Sequence, residues 1–373
     1  MGAVVNVRNR LQQKQTSFVV RLLEGLRYIF IEQQLLFFVI GLLLGRAVIL
    51  YEISPFALVF LATVTLLKQR RLFTMTVFVL IGAWTYAIEH GIYVTLATMI
   101  FYILYYFFQE RMKLSWLMGS VFIASLGSRL FLYSFYGELS IYEWLHIFVE
   151  CTLAIVLLLI FMQSIPLISQ QYYKPKLKNE ELICLIILFS SILTGLIGWE
   201  LYGLSFEHVL SRYVVLLLAL AGGAAIGSTV GVVGGLILSL ANIANLYQMS
   251  LLAFSGLLGG LLKEGKRTGV AFGLLVGSIL VSLYGGVDSI YVTLIESILA
   301  IGLLYLTPQK WIRQVATYVP GTSEYSEEER KYLQKMRNVT AKRVEQFSDV
   351  FAALSKSFMV NEQQKRLDDT MET

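Results

Sequence analysis

The sequence predicts an all-α fold: a polytopic integral membrane helical bundle of about ten spans, or twelve, with a C-terminal cytoplasmic amphipathic helix. Composition is the first observation. Of 373 residues, 57% are hydrophobic and 15% charged, against about a quarter charged in a soluble domain. The second is that apolar runs recur, each long enough to cross roughly 30 Å of hydrocarbon at about 1.5 Å per residue. The third is an abrupt change of character at Thr307-Pro308. Beyond it, acids and bases crowd a long amphipathic pattern. A chain built this way holds something at a membrane and passes a helix to something soluble.

Residues 1–34 carry Arg8, Arg10, Lys14, Arg21 and Arg27 but no apolar core ending in a small-residue cleavage site. They read as a retained cytoplasmic arm rather than a signal peptide. Spans are expected at 35–51, 53–67, 72–88, 91–108, 114–133, 147–168 and 182–199, then an apolar block at 213–262, then 268–284 and 290–306; together, residues 35–306 form the membrane domain. Alternate loops hold Lys68, Arg70 and Arg71; Arg111 and Lys113; Lys174, Lys176 and Lys178; and Lys263, Lys266 and Arg267. The intervening loops hold Glu89, Glu138, Glu200, Glu207 and Asp288, with Arg212 at a span edge. Lys and Arg are retained on the cytoplasmic side, which places both termini inside. The block 213–262 must then cross an odd number of times. One crossing with a re-entrant turn gives about ten spans, and three short crossings give about twelve.

The net charge of +5 comes mainly from the cytoplasmic loops and arm and favours anionic headgroups. The lipid bilayer is the expected partner; nothing calls for nucleic acid. Cys151 and Cys184 lie in apolar segments and read as small apolar side chains, without support for a disulfide. The five prolines sit near span ends or in loops, as an all-helical chain requires.

Gly223, Gly227, Gly231 and Gly235 recur every fourth residue and so share one helix face, as do Gly265, Gly269, Gly273 and Gly277; Gly41 and Gly45 give a single step. Small residues at this spacing let helix backbones approach closely in lipid. They serve packing within one bundle or, on a sharper reading, self-association between protomers. A nucleotide loop is excluded, since no G-x-x-x-x-G-K-[ST] occurs.

Arg46, Arg129, Glu150 and Glu296 fall inside spans, with Glu143, His146 and Arg212 near span ends. Such groups cost about 2.5–3.5 kcal/mol each on insertion scales, so partners are expected. The topology puts them at similar depth on the outer side, and adjacent antiparallel spans favour Arg129 with Glu150. The cluster is either structural or an outward-facing site for a small ligand or an external partner. His90 and His208 read as loop residues, and three scattered histidines give no metal spacing.

Pro308 ends the last span, and 307–325 is an interfacial linker in which Trp311 and Tyr318 suit headgroup depth. Pro320-Gly321 breaks the chain, and Ser326 with Glu329 has the spacing of a capping box opening a helix over 326–360. Leu333, Met336, Thr340, Val344, Phe347, Phe351, Leu354 and Phe358 form a stripe on it. Their spacing is a heptad seam with one stutter between Thr340 and Val344. The opposite face mixes acids with bases, which favours self-association or a protein partner over a bilayer surface. Residues 361–373 are polar and predict a disordered tail.

Several long strings carry a family resemblance: GLLLGRAVILYEISPFAL (Gly41 to Leu58), RYVVLLLALAGGAAIGSTVGVVGGLI, ANIANLYQMSLLAFSGLLGGLLKEGKR (Ala241 to Arg267), LTPQKWIRQVATYVPGT and RNVTAKRVEQFSDVFAALSKSF. Over most of residues 35–360 the chain resembles the membrane region of the stage II sporulation protein E family. The resemblance implies a polytopic membrane region followed by a regulatory region and a manganese-dependent PP2C-type serine/threonine phosphatase. It implies work at the polar septum in endospore formation, with the division protein FtsZ and other septal proteins as partners. It also implies sigma-F activation through dephosphorylation of an anti-anti-sigma factor. This membrane region would anchor, localise and oligomerise such a molecule.

A PP2C site needs several aspartates converging on two hard cations. The chain has Asp288, Asp349, Asp368 and Asp369, one in an outer loop and three in the tail, and they cannot form one. No catalytic, metal or cofactor residue is therefore expected in this chain. Manganese is expected only in the phosphatase part that relatives carry beyond this region. The competing expectation is a small-ligand receptor or transporter subunit.

Overall fold

The computed structural model of the protein describes residues 35–50, 52–67, 71–108, 113–136, 140–168, 177–241, 246–285 and 287–371. The arm 1–34, the basic loop residues Lys68, Arg70, Arg111, Lys174 and Lys176, and Glu138 lie outside them, as do the side chains of Asp288 and Phe358. The described chain is mostly helical, with one hairpin of two two-residue strands and an isolated bridge between Ile49 and Ile53. Its helices are α1 (Leu35–Arg46), α2 (Phe56–Leu66), α3 (Leu72–Tyr86), α4 (Ile88–Phe108), α5 (Leu114–Tyr136), α6 (Ile141–Ile168) and α7 (Asn179–Thr194). After strands β1 (Glu200–Leu201) and β2 (Leu204–Ser205) come α8 (Phe206–Gly222), α9 (Ala224–Ala241), α10 (Leu246–Leu261), α11 (Lys266–Gly285), α12 (Val287–Leu306), α13 (Gln309–Tyr318) and α14 (Ser323–Met371).

Among the described residues, α4, α5, α6, α9 and α11 are long and apolar enough to cross a membrane; α12 with α13 makes a sixth candidate, bent by 94°. Of the shorter apolar helices α1, α2 and α3, α2 is enclosed within the first half of the bundle, whereas α3 buries one face and leaves Phe73, Ile81 and Trp84 exposed. Every residue of α2 from Phe56 to Thr65 is buried. A helix apolar all round can be enclosed by protein as well as by lipid, and α2 is a central post for α1, α3, α4, α5 and α6. One apolar core runs from Phe37 through Phe56, Phe60 and Phe101 to Phe161. A second joins α7, α8, α9 and α10 through Ile186, Leu193, Val215, Val230 and Leu252. A third joins α8 to α11 and α12 through Leu216, Leu274 and Leu304.

The block 213–262 is filled by three helices, α8, α9 and α10. Gly223, at φ +80°, makes the turn between α8 and α9, so it stands outside the helix face the sequence assigns it to. Only Gly227, Gly231 and Gly235 of that ladder lie within α9. Gly265 likewise sits in a 3₁₀ turn over Lys263–Gly265, before α11, with nothing within 4 Å of where its side chain would begin.

The long helix starts earlier than its sequence signal. Gly321 (φ +83°) turns the chain so that Thr322 Oγ1 accepts the Tyr325 N–H at 3.0 Å. This is an N-cap, and it displaces the cap expected at Ser326. The helix also continues to Met371, past the end expected at 360 and through most of the segment expected to be disordered.

Candidate functional site

Two buried ionic clusters are built where the apolar helices approach one end of the bundle. In the first, the Arg129 guanidinium of α5 forks onto Glu150 of α6, with Nε–Oε2 at 2.5 Å and Nη2–Oε1 at 3.2 Å. Glu150 also accepts the backbone N–H of Ser54 at 3.0 Å, and Arg129 donates to the Glu52 carbonyl. The turn leading into α2 is thereby tied to α5 and α6. Arg129 also lies 3.9 Å over the Tyr93 ring of α4, where the negative face of the aromatic ring favours a cation. Glu150 is fully enclosed, and hydrogen-bonding partners on both oxygens are what make a buried carboxylate tolerable.

Beside this pair, Glu52, Tyr86, Glu89, His90, Arg129, Tyr133 and Glu143 line a cavity of about 290 Å³. His90 is a buried member of α4 rather than a loop residue, and its Nε2 reaches the Gly45 carbonyl at 2.9 Å. A carbonyl only accepts, so Nε2 carries the proton. His146 Nδ1 bonds the Tyr133 hydroxyl at 2.7 Å and lies 3.6 Å from Glu52 Oε2.

The second cluster joins α8 to α12. Arg212, wholly buried, meets Glu296 Oε2 at 2.9 Å and donates to the Thr293 carbonyl at 2.9 Å. Glu296 Oε1 takes the Ser205 N–H at 3.2 Å and His208 Nδ1 at 3.1 Å. The sequence places His208 in a loop, but the hairpin turn at Tyr202 (φ 54°) and Gly203 (φ +77°) brings α8 in early. Two successive positive φ values are those of a primed hairpin turn. Arg46 joins neither cluster. It donates to the carbonyls of Thr85 and Ile197 at 3.4 and 3.3 Å and lies 5.2 Å from the Trp199 ring. Among the described residues no group of His, Cys, Asp and Glu is arranged to hold a metal.

The glycines are used inside the chain. A side-chain carbon at Gly227 would sit 2.4 Å from the Gly256 carbonyl oxygen, and one at Gly256 would sit 2.2 Å from that of Gly227. Gly231 faces Leu252, Gly235 faces Met249, and Gly260 faces Ala224, an antiparallel contact of α9 with α10. On the other side of α10, Gly273 meets Gly259 and Gly277 meets Ser255, while Gly269 closes on the Leu262 carbonyl. Gly45 and Gly82 do the same for α1 and α3. Gly256, Gly260 and Gly82 are partners that the two sequence ladders do not include. The four-residue step from Gly256 to Gly260 is the signal that could have found the first two.

The stripe on α14 faces solvent in the isolated chain. Leu333, Met336, Val344 and Leu354 are exposed, as are Phe347 at 65% and Phe351 at 68%.

Buried ion pairs among apolar helices, glycine-lined helix contacts and a long helix with an exposed apolar stripe define a membrane-type helical bundle protein. The chain belongs to the SpoIIE family. The family model described as "SpoIIE, N-terminal domain" matches residues 2–316, and "SpoIIE, regulatory domain" matches 328–373. Stage II sporulation protein E of Bacillus subtilis (strain 168) is 48% identical over 339 residues, 89% of this chain and 41% of that relative. Stage II sporulation protein E of Priestia megaterium is 58% identical over 134 residues, 36% of this chain and 23% of that relative. The chain thus spans less than half the length of these curated relatives. No solved structure matches it. The regulatory-domain match begins within α14, the helix that leaves the bundle.

Proposed function

We propose that this chain is the membrane anchor, localisation and oligomerisation region of a serine/threonine phosphatase of the SpoIIE family that acts at the polar septum during endospore formation. The 48% identity over 89% of the chain is the observation that carries the reading. The fold supports it: a bundle tied by buried ion pairs holds position, and α14 carries an apolar stripe away from it. Association with FtsZ, and release of sigma-F through dephosphorylation of an anti-anti-sigma factor, belong in this reading to the longer molecule with its manganese-dependent phosphatase. The chain crosses the membrane with both termini cytoplasmic. Three consecutive antiparallel helices at 206–261 favour about twelve crossings over about ten. The test is a fluorescent fusion of residues 1–373 in sporulating cells. Enrichment at the polar septum is expected, and uniform membrane fluorescence would overturn the reading.

A second reading, a small-ligand receptor or transporter subunit, draws support from the cavity beside Arg129 and His90. Thermal stabilisation of the purified chain by a small solute, lost when Glu52 and Glu89 are changed to Gln, would favour it.

A further inference from the structure

At the end of the bundle opposite the buried ion pairs, a cavity of about 500 Å³ opens between the end of α8, the start of α11 and helix α13. Lys263, Lys266, Arg267, Lys310 and Arg313 line it, with Glu324 the one acid of the wall among the described residues. Lys263, Lys266, Lys310 and Arg313 are exposed and have no ion-pair partner among the described residues. Arg267 is committed to structure, donating to the Tyr305 and Thr307 carbonyls at 2.9 and 2.5 Å. The backbone is shaped around these bases. Lys266 is held at φ 55°, a conformation costly for a residue with a side chain. Gly223, lacking a side chain, leaves the notch in which the Lys263 stem lies, its Nζ 3.3 Å from where a Cβ would stand.

Like charges gathered with few acids repel one another, and an anion relieves that repulsion. Two features identify the anion. First, α13 bends by 94° from α12 and exposes Trp311, so it lies where apolar helices end and headgroups begin. Second, an apolar cavity of about 330 Å³ lies among α7, α8, α9 and α10, lined by residues such as Leu193, Leu218, Val230 and Leu252, with Val315 of α13 at its wall. A basic cavity and an apolar one that share α8 and meet at α13, through Arg313 and Ala316 on one side and Val315 on the other, match the two halves of one phospholipid. We propose that this elbow is a binding site for an anionic phospholipid, with the headgroup phosphate among Lys263, Lys266, Lys310 and Arg313 and an acyl chain in the apolar cavity beside α8. Because α14 begins just after α13, an occupied site fixes the angle at which the interaction helix leaves the membrane. The inference rests on the membrane placement proposed above but not on septal localisation.

The test uses the full chain in detergent, with native mass spectrometry and thermal unfolding in phosphatidylglycerol, in phosphatidylcholine, and in inorganic phosphate without lipid. Retained phosphatidylglycerol and a raised Tm are expected, with neither phosphatidylcholine nor free phosphate reproducing them. The double variant Lys310→Gln, Arg313→Gln, on exposed positions, should lose bound phosphatidylglycerol several-fold, and Lys266→Gln should do so independently. Glu324→Gln, which removes the acid, should increase retention. Equal retention of both lipids, unchanged retention in the variants, or an equal shift with phosphate alone would overturn the proposal, the last by showing a soluble-anion site.

Discussion

Arg129 and Glu150 form a two-point ion pair at 2.5 and 3.2 Å, and Glu150 carries the Ser54 N–H as well. One carboxylate therefore fixes α5, α6 and the entry to α2. Removing one partner of such a pair leaves a buried charge and costs about 3–5 kcal/mol, whereas an apolar replacement of both is often tolerated. Arg129→Ala should sharply reduce folded yield and Tm, and Arg129→Leu with Glu150→Leu should recover much of the loss. Size-exclusion profiles and thermal unfolding in detergent read both. A double variant as poor as the sum of the singles would show that the two side chains act separately.

This pair is legible in the sequence because its partners carry opposite charge on adjacent antiparallel helices. Arg212 with Glu296 is less so, since nothing local says that α8 packs on α12. His208 reads as a loop residue for a related reason: the apolar signal begins at 213, while the helix begins at Phe206, after a hairpin too short to register as strand. For α2, an all-apolar pattern is the same whether lipid or protein surrounds it, so periodicity does not reveal its enclosure. The glycine ladders mark the surfaces of α9 and α11 but not their common partner α10.

That partner is directly testable. Gly256→Val places a side chain 2.2 Å from the Gly227 carbonyl oxygen, so α9 and α10 must separate. Loss of most folded protein is expected. Gly119→Ala is the control, since nothing lies within 4 Å of that position. Replacing an open helical glycine there should stabilise by about 0.5–1 kcal/mol. Tm measurements on the two variants should move in opposite directions; a Gly256→Val protein as stable as the parent would refute the contact.

Topology is checked by single cysteines in a Cys151→Ala, Cys184→Ala background, because both native thiols are buried. Tyr202→Cys, at a hairpin tip that is 98% exposed, should label from outside intact cells. Lys113→Cys should label only after permeabilisation. The reverse pattern would invert the bundle and place α14 outside.

The exposed stripe on α14 gives the last expectation. A soluble helix rarely leaves two phenylalanines one turn apart in water without a partner to cover them. Phe347 and Phe351 do so on a helix of 49 residues, where the seam steps by three and four. Burying each is worth about 1.5–3 kcal/mol, so these positions would carry a large share of the gain if two protomers pair along the stripe. Phe347→Glu with Phe351→Glu should therefore abolish disulfide crosslinking at a third seam position, Val344→Cys, in membranes that hold the full chain. In such a pair the stutter would underwind the seam and leave it weakest at Thr340. Thr340→Leu should raise crosslinking yield. A weak point in the middle lets the pair adopt two registers, and a domain carried beyond α14 could be switched by shifting between them. Unchanged crosslinking in the double glutamate variant, or none in the parent, would reduce α14 to a spacer.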